Sequence, residues 1–320
     1  MEKPSPREPK SLDFPRSFGK YVLVAPLHNG KLAEIFRAKS LGVEGFEKKI
    51  VIKRILQRFT NDNQFVGLFI QEAKKAAELA HVNLTQVFDL GEVNGKYFLA
   101  IELVEGKDLK EILEISQRLL YPLPVPVSIS IAIQLCDALE YGRQFASSSG
   151  EKASTIHGEI VPSNILISSE GGVKFLGVGF SQTTNWAAKL NPEITRSKFG
   201  YMSPEQITCG SLDHRSDLFS LGVVLYEMLT GQRLFKGPSD SATLESNRRA
   251  EFLPPRSLNR EIPPMTETVL LKVLTRDPED RFATAAQFRA ELQKVQNTLA
   301  PASRSAIGEF LKQLDAQSLE

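Results

Sequence analysis

The sequence predicts an α+β chain: a small antiparallel sheet with one main helix, then a larger and mostly helical part. Three observations lead there. Runs with the alternating, β-branched pattern of strands crowd the N-terminal third. Asn94-Gly95 parts two of those runs as a hairpin turn does. From Asp108 onward, apolar residues recur at helical spacing.

Residues 1–18 are rich in proline and charge without sustained periodicity and read as a disordered tail. "KYVLVAPL", "AEIFRAKS" and "KKIVIKRIL" follow as strands, and "GEVNGKYFLAIEL" as a hairpin; one helix pattern, Asn63 to Ala80, lies between them. The helical part then runs through "PVSISIAIQLCDALEYGRQFA", "SDLFSLGVVLYEMLT" ended by Gly231, "TETVLLKVLT" and "ATAAQFRAELQKVQNTL". Its one hairpin pattern is "NILISSEGGVKFLGV". The expected organisation is a tail over 1–18, a main domain over 19–299 and a helical extension over 301–320 built on "SAIGEFLKQLDAQ". Within the main domain, a first lobe covers about 19–104 and a second about 108–299.

With 320 residues and 42% apolar composition the chain can bury a large core. Lysine and arginine number 39 against 38 acids, so the balance gives no reason to expect nucleic acid or an anionic membrane as main partner. The longest apolar runs fall short of a membrane span and "MEKPSPREPK" lacks a signal-peptide core, so the expectation is a cytoplasmic protein. Cys136 and Cys209 have neither metal-ligand nor disulfide spacing and read as buried filler.

The first chemical signal is a misplaced acid. In the 63–80 helix, Phe65, Phe69, Ala76 and Leu79 form an apolar stripe, and Glu72 falls on it. A buried carboxylate without a partner costs several kcal/mol, roughly, which asks for a cation. Lys53 of "IVIKRI", alternating with apolar neighbours, is the candidate; a snorkelling edge lysine is the plainer alternative.

Taken in order, "VIK", "QEAKKAAELAHVNL", "IELVEGKDL", "IHGEIVPSNILI", "VKFLGVGF", "KFGYMSPEQ", "HRSDLFSLGVVLYEMLTG" and "RDPEDRF" resemble the motif series of protein kinases from about Tyr21 to Leu299. The resemblance is to the eukaryotic-like serine/threonine kinases of bacteria. It is nearest to the large myxobacterial families, whose kinase domains often carry a short helical extension. It implies a bilobal protein-kinase-like fold and a candidate nucleotide cleft. Lys53 and Glu72 match the family's ion pair. The backbone at Glu102 and Val104 matches the adenine-bonding positions, Ile35 and Leu166 would sandwich the ring, and Val51 would narrow the slot where alanine is usual. The same apolar residues are also of the kind that simply fills a cleft.

The catalytic parts depart from the pattern. Of the three phosphate-loop glycines only Gly30 is present, with His28 and Ala33 at the other two positions; His28 reads as a phosphate contact or as a solvent-facing turn residue. "HGEIVPSN" stands for the H-R-D-x-K-x-x-N loop. Glu159 keeps a carboxylate at the base position but moves it by a methylene, a displacement that can lower the rate roughly 10²-fold. Val161 removes the lysine that would steady the transferring phosphate, and Gly158 removes the arginine that pairs with a phosphorylated loop. Gly177-Val178-Gly179 stands for D-F-G, so the metal-holding aspartate is a glycine. Asn164, the family's second metal ligand, remains as a lone amide, which is a poor anchor for magnesium, and no metal is expected. Structural positions are intact: Glu205 and Arg281 match a buried salt bridge, and Asp217 should bind the loop backbone near His157.

The expected function is therefore that of a pseudokinase, a signalling scaffold or allosteric regulator that binds a protein such as an active kinase, with little or no phosphotransfer. Two alternatives stand beside it: a weak or unconventional Ser/Thr kinase using Glu159 as base, and a non-catalytic sensor that binds ATP without normal magnesium coordination. Trp186, the only tryptophan, reads equally as a partner anchor or as a residue tucked against the lobe.

Overall fold

The computed structural model describes residues 14–148, 158–176, 180–299 and 303–318. The expectations for most of the N-terminal tail, for His157, for Gly177-Val178-Gly179 and for residues 301–302 and 319–320 fall outside the described residues. The chain divides into two compact units, one of residues up to Val66 with Phe88–Leu103, the other of Gly67–Val87 with Val104 onward.

In the first unit the alternating runs become β1 (Arg16–Phe18), β2 (Tyr21–Asn29), β3 (Ala33–Leu41), β4 (Glu47–Ile55), β5 (Val87–Val93) and β6 (Lys96–Glu102). They form one sheet in the order β1-β2-β3-β4-β6-β5. β1 corrects the expected tail, because Arg16 to Phe18 pair antiparallel with Leu23 to Tyr21 and Phe18 is buried. The β5–β6 turn is the one read from Asn94-Gly95, whose φ values of 52° and 72° are the left-handed pair a tight hairpin needs. One sheet face carries the core of Tyr21, Leu23, Phe36, Ala38, Ile50, Ile52, Phe98 and Ala100. Arg54 lies on that face too, paired with Glu34 at 2.7 Å and set over the Phe36 ring at 4.7 Å.

The helix α1 (Asn63–Glu78) begins in the first unit, where Phe65 stacks on Phe59 at 4.8 Å, and continues into the second. The second unit holds β7 (Gly106–Asp108), β8 (Ile165–Ser168) and β9 (Val173–Phe175) in a small sheet, with β8 central. Around it lie α2 (Leu109–Arg118), α3 (Val125–Ser148), α4 (Ser181–Leu190), α5 (His214–Thr230), α6 (Pro264–Val273), α7 (Ala285–Gln296) and α8 (Arg304–Ser318). α5 is buried from Ser216 to Leu229 and stops at Gly231, whose φ of 68° closes the helix on the Glu227 carbonyl. α8 is the expected extension, yet Ile307, Phe310, Leu311 and Leu314 belong to the same core as α3 and α5. Among the described residues no helix is long and apolar enough to cross a membrane.

The Glu205–Arg281 bridge forms as read, with guanidinium–carboxylate distances of 2.7 and 2.8 Å, and Ser216 Oγ donates to the same carboxylate at 2.6 Å. Arg281 also donates to the carbonyls of Thr275, Arg215 and Arg276, so all of its forked donors are used. Burial pushes the Glu205 carboxyl up, but the hydrogen bonds and charge of Arg281 outweigh it and hold it below the usual range. A depressed carboxylate adds stability that is present above its unfolded value, near about 4.3, and is lost as pH falls through the lower folded value. Two outcomes follow. Arg281→Met, by stranding the carboxylate, should lower the unfolding free energy in urea by about 3–5 kcal/mol. Glu205→Gln should flatten the acid limb of stability below about pH 4.3.

Candidate functional site

The residues singled out from the sequence fall in both units. In the first, antiparallel register sets Ile35 opposite Lys53 and Lys53 opposite Leu99, while Arg37, Val51 and Ile101 form the next row. Residues two apart on a strand share a face, so Ile35, Val51 and Lys53 line the face opposite the Phe36–Ile52 core. Gly30 makes the β2–β3 turn, its N–H donating to the Ala33 carbonyl at 2.9 Å; a Cβ there would stand 3.0 Å from that oxygen. His28 is exposed at the end of β2, as the solvent-facing reading expects. Glu102, half-buried, ends β6.

In the second unit the loop from Gly158 to Asn164 is held from several sides. Gly158 has a φ of 67°, a backbone conformation that a side chain rarely adopts, and its N–H donates to Asp217 Oδ1 at 2.8 Å. Asp217 thus binds the loop backbone as expected. Ile160, Val161 and Pro162 are buried, and the short turn Pro162–Asn164 leads into β8. Asn164 turns its amide Nδ2 back onto the Glu159 carbonyl at 3.0 Å, and its own carbonyl accepts from Leu176 N at 2.8 Å. Glu159 pairs with Lys198 at 2.6 Å, both side chains being largely buried. That lysine has no role in the sequence reading. It sits in "KFGYMSPEQ", and only the fold brings it to Glu159.

Glu72 lies in this unit, 4% exposed, as the stripe argument requires. Its carboxylate accepts from Gln182 N at 2.7 Å, from Thr183 N at 3.0 Å and from Thr183 Oγ1. Three neutral donors at the start of α4 thus supply what the sequence argument sought from a cation. Burial pushes the Glu72 carboxyl up; the Thr183 and Gln182 bonds pull it down, and the Glu159 charge adds to the rise. Phe69 of α1 meets Phe180 at 5.7 Å beside this contact. Trp186, on α4, is half-buried.

Beneath α4 a cavity of about 490 Å³ is lined by Glu159, Lys198, Asn185, Phe199, Met202 and Cys209, among others. Cys209 corrects the filler reading. It is exposed at a φ of 53° in a loop, whereas Cys136 is buried. Val104 and Leu166 are half-buried, Leu166 opposite Asp108 and Lys174 in the small sheet.

Magnesium coordination asks for an octahedron of oxygens, usually anchored by carboxylates. The residues at hand do not fit it. Position 177 carries no side chain and Glu159 is engaged by Lys198, which leaves the side-chain oxygen of Asn164, whose Nδ2 bonds the Glu159 carbonyl, as a lone neutral ligand. Among the described residues no three His, Cys, Asp or Glu side chains gather to hold a metal.

Residues 21–292 match the protein kinase domain family. MasK of Myxococcus xanthus, named a tyrosine-protein kinase, is 37% identical over 92% of this chain and 46% of its own. The serine/threonine-protein kinase Pkn3 of Myxococcus xanthus is 34% identical over 86% of this chain and 50% of its own. The chain therefore spans about half the length of these curated relatives. The crystal structure of the Mycobacterium tuberculosis PknI kinase domain superposes with a TM-score of 0.66 over 89% of this chain and 99% of that one, at 20% identity, a likeness of fold.

The Glu72 contact gives a direct expectation. Thr183→Val, which removes one donor to a buried charge, should lower stability in urea by about 1.5–3 kcal/mol. It should also raise the acrylamide quenching of Trp186, the sole tryptophan, on the same helix.

Proposed function

The chain belongs to the protein kinase family, and on that premise we propose that it is a pseudokinase, acting in signalling by binding another protein, such as an active kinase, with little or no phosphoryl transfer. The observation that carries this reading is the state of the loop acid: Glu159, already displaced by a methylene, is held by Lys198 at 2.6 Å. Phosphoryl transfer is positioning and charge neutralisation, and a carboxylate committed to an ammonium is badly placed to take a hydroxyl proton. Val161 supplies no charge where the family has a lysine, and Gly177 no carboxylate for a metal. Meanwhile the bridge from Glu205 to Arg281 and the bond from Gly158 to Asp217 support an ordered scaffold.

Family membership implies ATP binding, and the shared sheet face of Ile35, Val51 and Lys53 favours a second reading, a sensor that holds nucleotide without turnover. Any such binding would rest on those side chains and not on a protein-held magnesium. The near-neutral charge of the chain supports a protein partner over nucleic acid, and its apolar runs give no reason to place it in a membrane.

The test is phosphate transfer from Mg-ATP or Mn-ATP to generic serine, threonine and tyrosine substrates, read against Lys53→Ala. No transfer above that variant is the expected result; transfer that Lys53→Ala abolishes would overturn the proposal. In parallel, a nucleotide-induced rise in Tm that is independent of divalent metal and lost in Lys53→Ala would establish the sensor reading.

A further inference from the structure

Helix α8 lies wholly beyond the span matched by the kinase family, yet its first turns are fitted to the β8–β9 hairpin at backbone distance. The hairpin turn Ser169–Gly172 is closed by Ser168 N to the Gly172 carbonyl at 2.8 Å and by Gly171 N to the Ser168 carbonyl at 2.8 Å. Gly171 takes a φ of 81°, and a Cβ on it would stand 1.8 Å from the Arg304 carbonyl oxygen. A Cβ on Gly308 would stand 2.8 Å from the Ser169 carbonyl oxygen. The two glycines therefore let helix and turn meet without side chains between them. Farther along α8, Phe310 stacks on Tyr121 at 5.6 Å, Tyr121 Oη donates to Gln313 at 2.9 Å, and Asp315 pairs with Lys107 at 3.5 Å.

From that turn a continuous series of bonds reaches the candidate site. β9 leads to Leu176, whose N–H donates to the Asn164 carbonyl at 2.8 Å. The Asn164 amide donates to the Glu159 carbonyl at 3.0 Å, and Glu159 is paired with Lys198 at the wall of the cavity beneath α4. We propose that α8 is a positioning clamp for the Gly158–Asn164 loop, acting through the Ser169–Gly172 turn. Whatever shifts α8 then shifts the loop and the cavity, and the role stands whether or not the chain transfers phosphate.

The chain carries its own reporters. Trp186 sits on α4, next to the cavity residue Asn185, and Cys209 lines the cavity and is exposed while Cys136 is buried. The experiment is Gly308→Ala in the full chain, a wedge of one methyl group at the helix–turn contact. The expected result is a severalfold rise in amide exchange over 173–176, with α3 and α5 as protected as in the parent. A shifted Trp186 emission and a severalfold change in the maleimide labelling rate of Cys209 should accompany it. Ile262→Val, a core truncation away from the contact, serves as the stability control and should move none of the three. If Gly308→Ala does not fold, Tyr121→Leu, which loosens the other end of α8, is read in the same way. The proposal is overturned if a folded variant leaves the 173–176 amides, Trp186 and Cys209 as in the parent, or if the control moves them equally.

Discussion

A carboxylate shut away from water must be given donors, and the second unit is organised around meeting that constraint. Asp217, 1% exposed, accepts from the Gly158 amide; Glu227 accepts from the Tyr201 hydroxyl at 2.6 Å; Glu205 takes the fork of Arg281. Glu72 takes the first amides of α4 together with the Thr183 hydroxyl. Each contact ties together segments far apart in the chain, so the loop at 158–164, the segment at 181–205 and α5 are placed largely by where their acids find donors. Leaving one such acid stranded is worth more than an ordinary surface ion pair, because no water replaces the missing donor.

This constraint separates scaffold from chemistry. A buried acid is satisfied equally by a guanidinium, an amide or a hydroxyl, and the scaffold here uses all three. Phosphoryl transfer is less tolerant, since it needs oxygens on a metal and a charge on the moving phosphate at fixed places. Gly177 and Val161 meet neither need, while Glu159 has been drawn into an ion pair of its own. Fold and reaction thus make separate demands on the residues, and the match over residues 21–292 speaks to the first without deciding the second.

The sheet and the long helices were legible because their signals are local: alternation in β2 to β4, Asn94-Gly95 at the hairpin, Gly231 at the end of α5. α4 was not legible, for a physical reason. Its sequence, "SQTTNWAAKL", opens with residues of weak helix propensity, and Phe180 at its N-cap offers no side-chain acceptor. The missing cap is Glu72, which takes the Gln182 and Thr183 amides from a position 110 and 111 residues earlier. Reading Glu72 as an acid in want of a cation found the right residue without foreseeing these donors; a helix N-terminus meets the same need with partial charges. Lys198 was missed likewise, since no spacing links it to Glu159. The extent of the tail was overdrawn because Arg16–Phe18, too short to show a period, is held by pairing with β2.

Ordering a segment on contact subtracts from affinity, so a segment held in place beforehand loses less when anything binds to it. The 158–164 loop is ordered in this way. Gly158 is bonded to Asp217, Asn164 to Glu159, Glu159 to Lys198, and Leu176 to Asn164, with four residues of α8 buried in the core behind the hairpin. Of these side chains, Glu159 and Lys198 are turned on each other, and the Asn164 amide nitrogen is bonded to backbone. The ion pair that occupies the Glu159 carboxylate also ties its loop to Lys198, so the state of that acid and the order of its loop are two readings of a single arrangement.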